Sequence, residues 1–125
     1  IAQSATAETE ANVCGVKEIP KDWIGLDIGP ATISLFSDAL KGVKTIIWNG
    51  PMGMFELAPF SKGTFALAQS VADSGALSII GGGDTDTAIK KAGLSAKMSY
   101  ISTGGGAFLE WLEGKILPAI AALEK

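Results

Sequence analysis

Apolar positions along the chain switch repeatedly between short continuous runs and helical spacing. From Pro30 to Lys41 the residues Ile33, Phe36 and Leu40 recur at helical intervals with Ala39 beside them, and Gly42 supplies a stop. This predicts a first helix with Pro30 in its opening turn. Lys44 to Trp48 is a buried-strand run, which Asn49-Gly50-Pro51 cannot continue, and residues 49–60 read as a loop. Ser61 is placed to cap a helix reaching about Ser74, with Thr64, Leu67 and Val71 in one row and Phe65, Ala68 and Ala72 in a second. Leu77 to Ile80 is the next strand, Gly81 to Asp84 its loop, and Thr85 to Ala92 its helix, closed by Gly93. Lys97 to Ser102 predicts a third strand, followed by the bare turn Thr103-Gly104-Gly105-Gly106 and a helix from Ala107 to Glu113. The tail from Ile116 to Leu123 is apolar enough to pack back on the domain, with Pro118 in the first turn of a last short helix. Trp48 and Trp111 read as core residues. Ahead of all this, residues 1–22 form an irregular lead-in: QSATAETEAN has no usable period, and the patch Val13 to Val16 is either a strand or a packed loop.

Three successive units therefore read strand, glycine-containing loop, helix. Such units build a parallel sheet with right-handed crossovers, so the predicted fold is α/β, part of a doubly wound, Rossmann-like three-layer sheet. All three loops then fall at the edge formed by the strand C-termini, where open α/β sheets bind ligands. Asn49 to Glu56, Gly81 to Thr85 and Thr103 to Gly106 are expected to converge.

The stretch IIGGGDTDTA at 79–88 gives that edge its chemistry. Glycines let backbone N–H groups approach an anion, and a helix N-terminus adds roughly half a positive charge. Asp84 would repel a phosphate unless a cation such as Mg²⁺ lay between them, so glycines with one acid suggest a metal-nucleotide site. The same residues also satisfy a plain turn followed by an ordinary cap, and neither GxxxxGK[ST] nor GxGxxG is complete. A second glycine run at the same sheet edge favours close backbone approach, because glycine otherwise weakens ordered structure.

Composition narrows the possibilities. At 125 residues the chain is of single-domain size, and 47% hydrophobic with 18% charged residues is a globular balance. A net charge of −3 argues against a nucleic-acid surface. No run approaches the ~18 apolar residues of a membrane span. The single cysteine, Cys14, excludes an internal disulfide and reads as a half-buried small hydrophobe. With no histidine, Ser-His-Asp and Cys-His catalysis are excluded, leaving carboxylates, hydroxyls, lysines and backbone N–H groups. Phosphoryl transfer suits that set, because it depends on positioning and charge stabilisation. Lys62, Lys90, Lys91 and Lys97 read as solvated surface charges.

IIWNGPMGMFE at 46–56, GGGDT at 81–85 and STGGGAFLEWLEGKILP at 102–118 resemble three signature segments of phosphoglycerate kinase, and GLDIGP at 25–30 is similar to a fourth. They stand in the family's order and spacing from about Pro20 onward. The resemblance implies the C-terminal part of a two-domain kinase, with residues 23–125 a partial nucleotide-binding domain and 1–22 leading in from an upstream part. It implies transfer of a phosphoryl group between 1,3-bisphosphoglycerate and ADP, giving 3-phosphoglycerate and ATP, with Mg²⁺, in a cytoplasmic glycolytic enzyme that works as a monomer.

By the same resemblance Asp84 holds the metal on the nucleotide phosphates, and Gly81, Gly82, Gly83 and Thr85 belong to the phosphate-binding turn. Glu56 hydrogen-bonds the ribose, Asn49, Pro51 and Met54 line the nucleotide cleft, and Gly25 lies near the adenine. Gly104, Gly105 and Gly106 face the transferring phosphoryl group, where N–H donors stabilise developing charge. Tyr100 stands where many members carry histidine and matches the bacterial branch, while Met54 replaces a commoner valine. The family's N-terminal domain, which holds 3-phosphoglycerate, and the earlier strands of the nucleotide domain have no counterpart here, so the chain alone is expected to be inactive. Two other readings stand beside this one. A free-standing, non-catalytic nucleotide- or phosphate-binding module is the first. A fragment without function of its own, exposing apolar sheet surface, is the second.

Overall fold

A computed structural model describes residues 1–124 of the chain. Three parallel strands, β1 (Thr45–Asn49), β2 (Leu77–Gly81) and β3 (Tyr100–Ser102), lie side by side in the order of the sequence. Five α-helices accompany them: α1 (Pro30–Ala39), α2 (Lys62–Asp73), α3 (Gly83–Lys91), α4 (Gly105–Leu112) and α5 (Pro118–Leu123). The predicted α/β class with a parallel sheet is the observed one.

The strands alternate sides, and the two faces differ in cover. Ile46, Trp48 and Ile80 point toward α2 and α3, where they meet Ala68, Val71 and Ile89, with Leu94 and Met98 closing the core. Both crossover helices lie on this face, as sequential parallel strands of one crossover hand require. α1 packs along α2, and a hydroxyl pair, Ser37 with Ser70 at 2.8 Å, joins them. On the other face, the row Ile47, Ile79 and Tyr100 runs across the three strands, with Ile47 and Tyr100 exposed. α4 reaches this face through the Phe108 ring against Gly81.

Several local expectations are corrected. α3 and α4 each begin two residues earlier than the glycine runs suggest, at Gly83 and Gly105, so part of each run is helix and not loop. β3 is shorter than Lys97 to Ser102, because Ser95–Lys97 turns as a 3-10 helix first. Ser61 gives no side-chain cap to α2; its hydroxyl donates instead to the Ala58 carbonyl at 3.0 Å. Trp48 is a core residue, but Trp111 is 58% exposed. α5 forms with Pro118 in its first turn, yet it buries no residue, and Ile116 and Leu123 stay in solvent. Val13 and Val16 are likewise exposed, neither strand nor packed loop. Of the lysines, Lys90 pairs with the buried Asp86 at 2.7 Å, Lys97 reaches Asp73 at 3.5 Å, and Lys91 lies 5.2 Å from the Phe55 ring centre. No helix among the described residues is long and apolar enough to cross a membrane.

Candidate functional site

The C-terminal ends of the strands bring three segments together, and backbone sterics show how closely. β1 ends at Asn49, level with Gly81 of β2, which is level with Ser102 of β3. The Gly82 N–H donates to the Ser102 carbonyl at 2.9 Å, and the Gly50 N–H donates to the Thr85 hydroxyl at 2.8 Å. Asn49 sits between the two glycine turns, its side-chain amide donating to the Gly105 carbonyl at 3.4 Å. These bonds join residues up to 56 positions apart.

The glycines divide into two groups. A methyl group on Gly81 would strike the Phe108 ring at 2.5 Å, one on Gly105 would lie 3.2 Å from the Gly82 Cα, and one on Gly82 would lie 3.0 Å from the Asn49 amide oxygen. Gly82 also has φ +94°, which disfavours any side chain. These three are glycine because protein backbone and side chains approach them. Gly83 and Gly106 face open space, with no atom within 4 Å of a built methyl. Space left bare on the outside of a turn is what the approach of a ligand requires.

Gly82 and Gly104 are the N-caps of α3 and α4, and neither helix has a side-chain cap. The first three N–H groups of each helix have no acceptor within the helix. With Gly82 against Gly105, two such helix starts stand side by side, and their partial positive charges add over the same space. The acids are placed asymmetrically: α3 carries Asp84 and Asp86 in its first turn, α4 none. Asp86 is buried and held by Lys90, whereas Asp84 is exposed at the helix start. Thr85 is fully buried and is the third residue of α3, so it is no cap; its hydroxyl fastens the loop after β1. No cluster of three or more potential metal ligands occurs among the described residues. A single exposed carboxylate suits Mg²⁺ that arrives on a polyphosphate, since that ion keeps most of its shell as water and phosphate oxygen.

Beside the turns lies a cleft of about 350 Å³ lined by residues 25–28 and 51–54. It brings Gly25 beside Pro51 and Met54, which follow it by 26 and 29 positions in the sequence. Glu56 is exposed one residue beyond the buried Phe55. Two residues that the sequence reading passed over hold this cleft together. The Asp27 carboxylate accepts the N–H groups of Gly63 and Ile28, each at 2.8 Å, and burial, only partly offset by those two bonds, raises its pKa from the ordinary aspartate value. The Thr64 hydroxyl, fully buried, accepts the N–H groups of Met52 at 3.1 Å and Gly53 at 3.2 Å. The available signal was a lone acid within an apolar segment, GLDIGP, and a threonine on the buried face of α2.

Comparison with known proteins matches residues 1–115 to the family model described as phosphoglycerate kinase. Among curated relatives, the phosphoglycerate kinase of Geobacter metallireducens is 63% identical over 118 residues, covering 94% of this chain and 30% of the relative. That of Citrifermentans bemidjiense is 59% identical, covering 99% and 31%. A solved phosphoglycerate kinase from Coxiella burnetii superimposes with a TM-score of 0.89 at 48% identity, over 96% of this chain and 31% of that one. The enzyme from Pyrococcus horikoshii gives 0.75 at 39% identity, over 82% and 25%. The chain thus spans about three tenths of the length of the curated relatives it matches.

Proposed function

The chain belongs to the phosphoglycerate kinase family, and from that premise we propose that it is the nucleotide-binding part of such a kinase, serving phosphoryl transfer between 1,3-bisphosphoglycerate and ADP. The observation that carries this reading is the abutment of Gly82 and Gly105, which sets two uncapped helix starts against each other at the mouth of the sheet. Each contributes free N–H donors to one small volume, an arrangement suited to several linked phosphates.

Roles follow from position. The N–H groups of Gly83, Asp84 and Thr85 hold the nucleotide phosphates, with Gly81 and Gly82 keeping the turn closed behind them. Gly104, Gly105 and Gly106 present donors where charge spreads over the transferring group, and the bare face of Gly106 admits it. Asp84 is the carboxylate that would hold Mg²⁺; when bound, that ion neutralises phosphate charge and fixes phosphate geometry. Gly25, Pro51 and Met54 receive the nucleoside in the cleft, Glu56 takes the ribose, and Asn49 keeps the two turns in register. The domain part begins near residue 23, with residues 1–22 leading in. The acyl-phosphate substrate is held by upstream residues of the longer protein, a soluble, cytoplasmic, monomeric glycolytic enzyme.

Calorimetric titration of Mg²⁺-ADP into the chain tests this reading. Saturable binding that weakens in Asp84→Ala and without Mg²⁺ is expected. Absence of binding by a folded sample overturns it. Mixing or fusing the chain with the upstream portion of the Geobacter metallireducens relative should yield turnover that the chain lacks alone; binding with no turnover in that mixture would instead favour a non-catalytic binding module.

A further inference from the structure

Both walls of the cleft, residues 25–28 and 51–54, lie outside the helices and strands, so their spacing has to be set by something else. One direct bond joins them, from the Met54 N–H to the Leu26 carbonyl at 2.9 Å. Apart from the local turn bonds from the N–H groups of Phe55 to Gly53 and of Leu57 to Met54, every other polar tie described between these walls and the rest of the fold leads to two consecutive residues in the first turn of α2. Gly63 donates its N–H to Asp27, and Thr64 accepts the N–H groups of Met52 and Gly53. Ser61, the residue placed to cap α2, is turned away to Ala58, so the carboxylate satisfying a free N–H of this helix comes from 36 positions earlier. α2 itself is firm, since Leu67, Ala68 and Val71 are in the core. The junction has no slack: a methyl on Gly53 or on Gly63 would collide with the Asp27 carboxylate.

We propose that Asp27 and Thr64 are positioning residues for nucleoside binding, suspending the two cleft walls from the start of α2 so that Gly25 and Met54 stand at a fixed separation. The proposal rests on the nucleotide reading above. It places neither residue on the ligand. Because the Thr64 hydroxyl is fully buried, water does not replace it readily, and two loop N–H groups lose their acceptor together when it is removed. The loop then shifts to find solvent, and the phosphate turns, held by Asn49, Thr85 and the sheet, do not follow.

The experiment compares Mg²⁺-ADP with Mg²⁺-pyrophosphate, which needs the phosphate turns and not the cleft, by calorimetry on the full chain. Thr64→Val is expected to weaken Mg²⁺-ADP by about tenfold and Mg²⁺-pyrophosphate by less than about twofold, with Thr64→Ser restoring ADP affinity. Val71→Ala, whose thermal unfolding temperature should fall at least as far, separates positioning from stability; it is expected to leave ADP affinity within about twofold. If Thr64→Val does not fold, Asp27→Asn decides, with a several-fold loss expected for ADP alone. Equal weakening of both ligands, unchanged ADP affinity, or an equal loss in Val71→Ala overturns the proposal while the nucleotide reading stands. No ADP binding by the unchanged chain overturns both.

Discussion

α3 and α4 start alike, each with a glycine N-cap and a glycine first residue at the same sheet edge, but α3 buries Thr85, Asp86, Ala88 and Ile89 whereas α4 buries nothing. Gly82 needs its positive φ, while Gly104 sits at φ −90°, open to any residue. α3 carries acids in its opening turn and basic residues in its last, matching the helix dipole at both ends; α4 has neither. The same backbone device is thus anchored in one case and merely leaned against the sheet in the other, through Phe108. The difference teaches that a shared glycine signature reports the approach of backbone, and says nothing of how firmly the following helix is held.

The strongest way to break this contrast is to remove one anchor from each helix. Ile89→Ala should cost about 2–5 kcal/mol in a urea unfolding series, and Leu109→Ala, on the exposed side of α4, less than about 1 kcal/mol. Equal losses would mean that α4 is held as tightly as α3. Within the turns, Gly82→Ala forces a side chain into a left-handed backbone and against Asn49, an expected loss of about 1–3 kcal/mol. Gly106→Ala meets open space and should shift stability by no more than about 0.5 kcal/mol, while slowing phosphoryl transfer in the reassembled enzyme.

Asp84→Asn sharpens the comparison from the ligand side. Its exposed carboxylate makes no hydrogen bond or ion pair among those described, so unfolding should change only by its favourable place at the helix N-terminus, under about 1 kcal/mol, while Mg²⁺-ADP affinity falls about tenfold, about 1.4 kcal/mol. The smallest effect belongs to Asp27. Burial raises its pKa in the folded chain, so its contribution to stability is fully present below the ordinary carboxylate pKa and is lost as pH rises through the folded value. Relative to Asp27→Asn, the unchanged chain should therefore lose stability as pH rises across the carboxylate range, seen as diverging urea midpoints; a slope of opposite sign would show that the two N–H bonds outweigh burial.

Much of this architecture was legible beforehand. Helical spacing in Ile33, Phe36 and Leu40, the apolar run at Ile46 to Trp48 and the glycine stops gave the element order, because these signals are local and act through backbone geometry. The convergence of Asn49, the Gly81 turn and the Gly104 turn followed from parallel connectivity alone. What the chain order could not disclose was the partner of each polar group. Ser61 had the right identity and place to cap α2, yet Asp27 supplies the acceptor. Thr85 and Thr64 read as helix residues, and their hydroxyls turned out to fasten a distant loop. Trp111 has a core residue's composition and an exposed position. The sequence by itself determined the elements, their order and the turns that need bare backbone, since those depend on neighbours within a few residues. Tertiary structure alone decided which glycines face protein and which face open space, and which side chains hold the cleft, because such pairings depend on segments that meet only when the sheet closes.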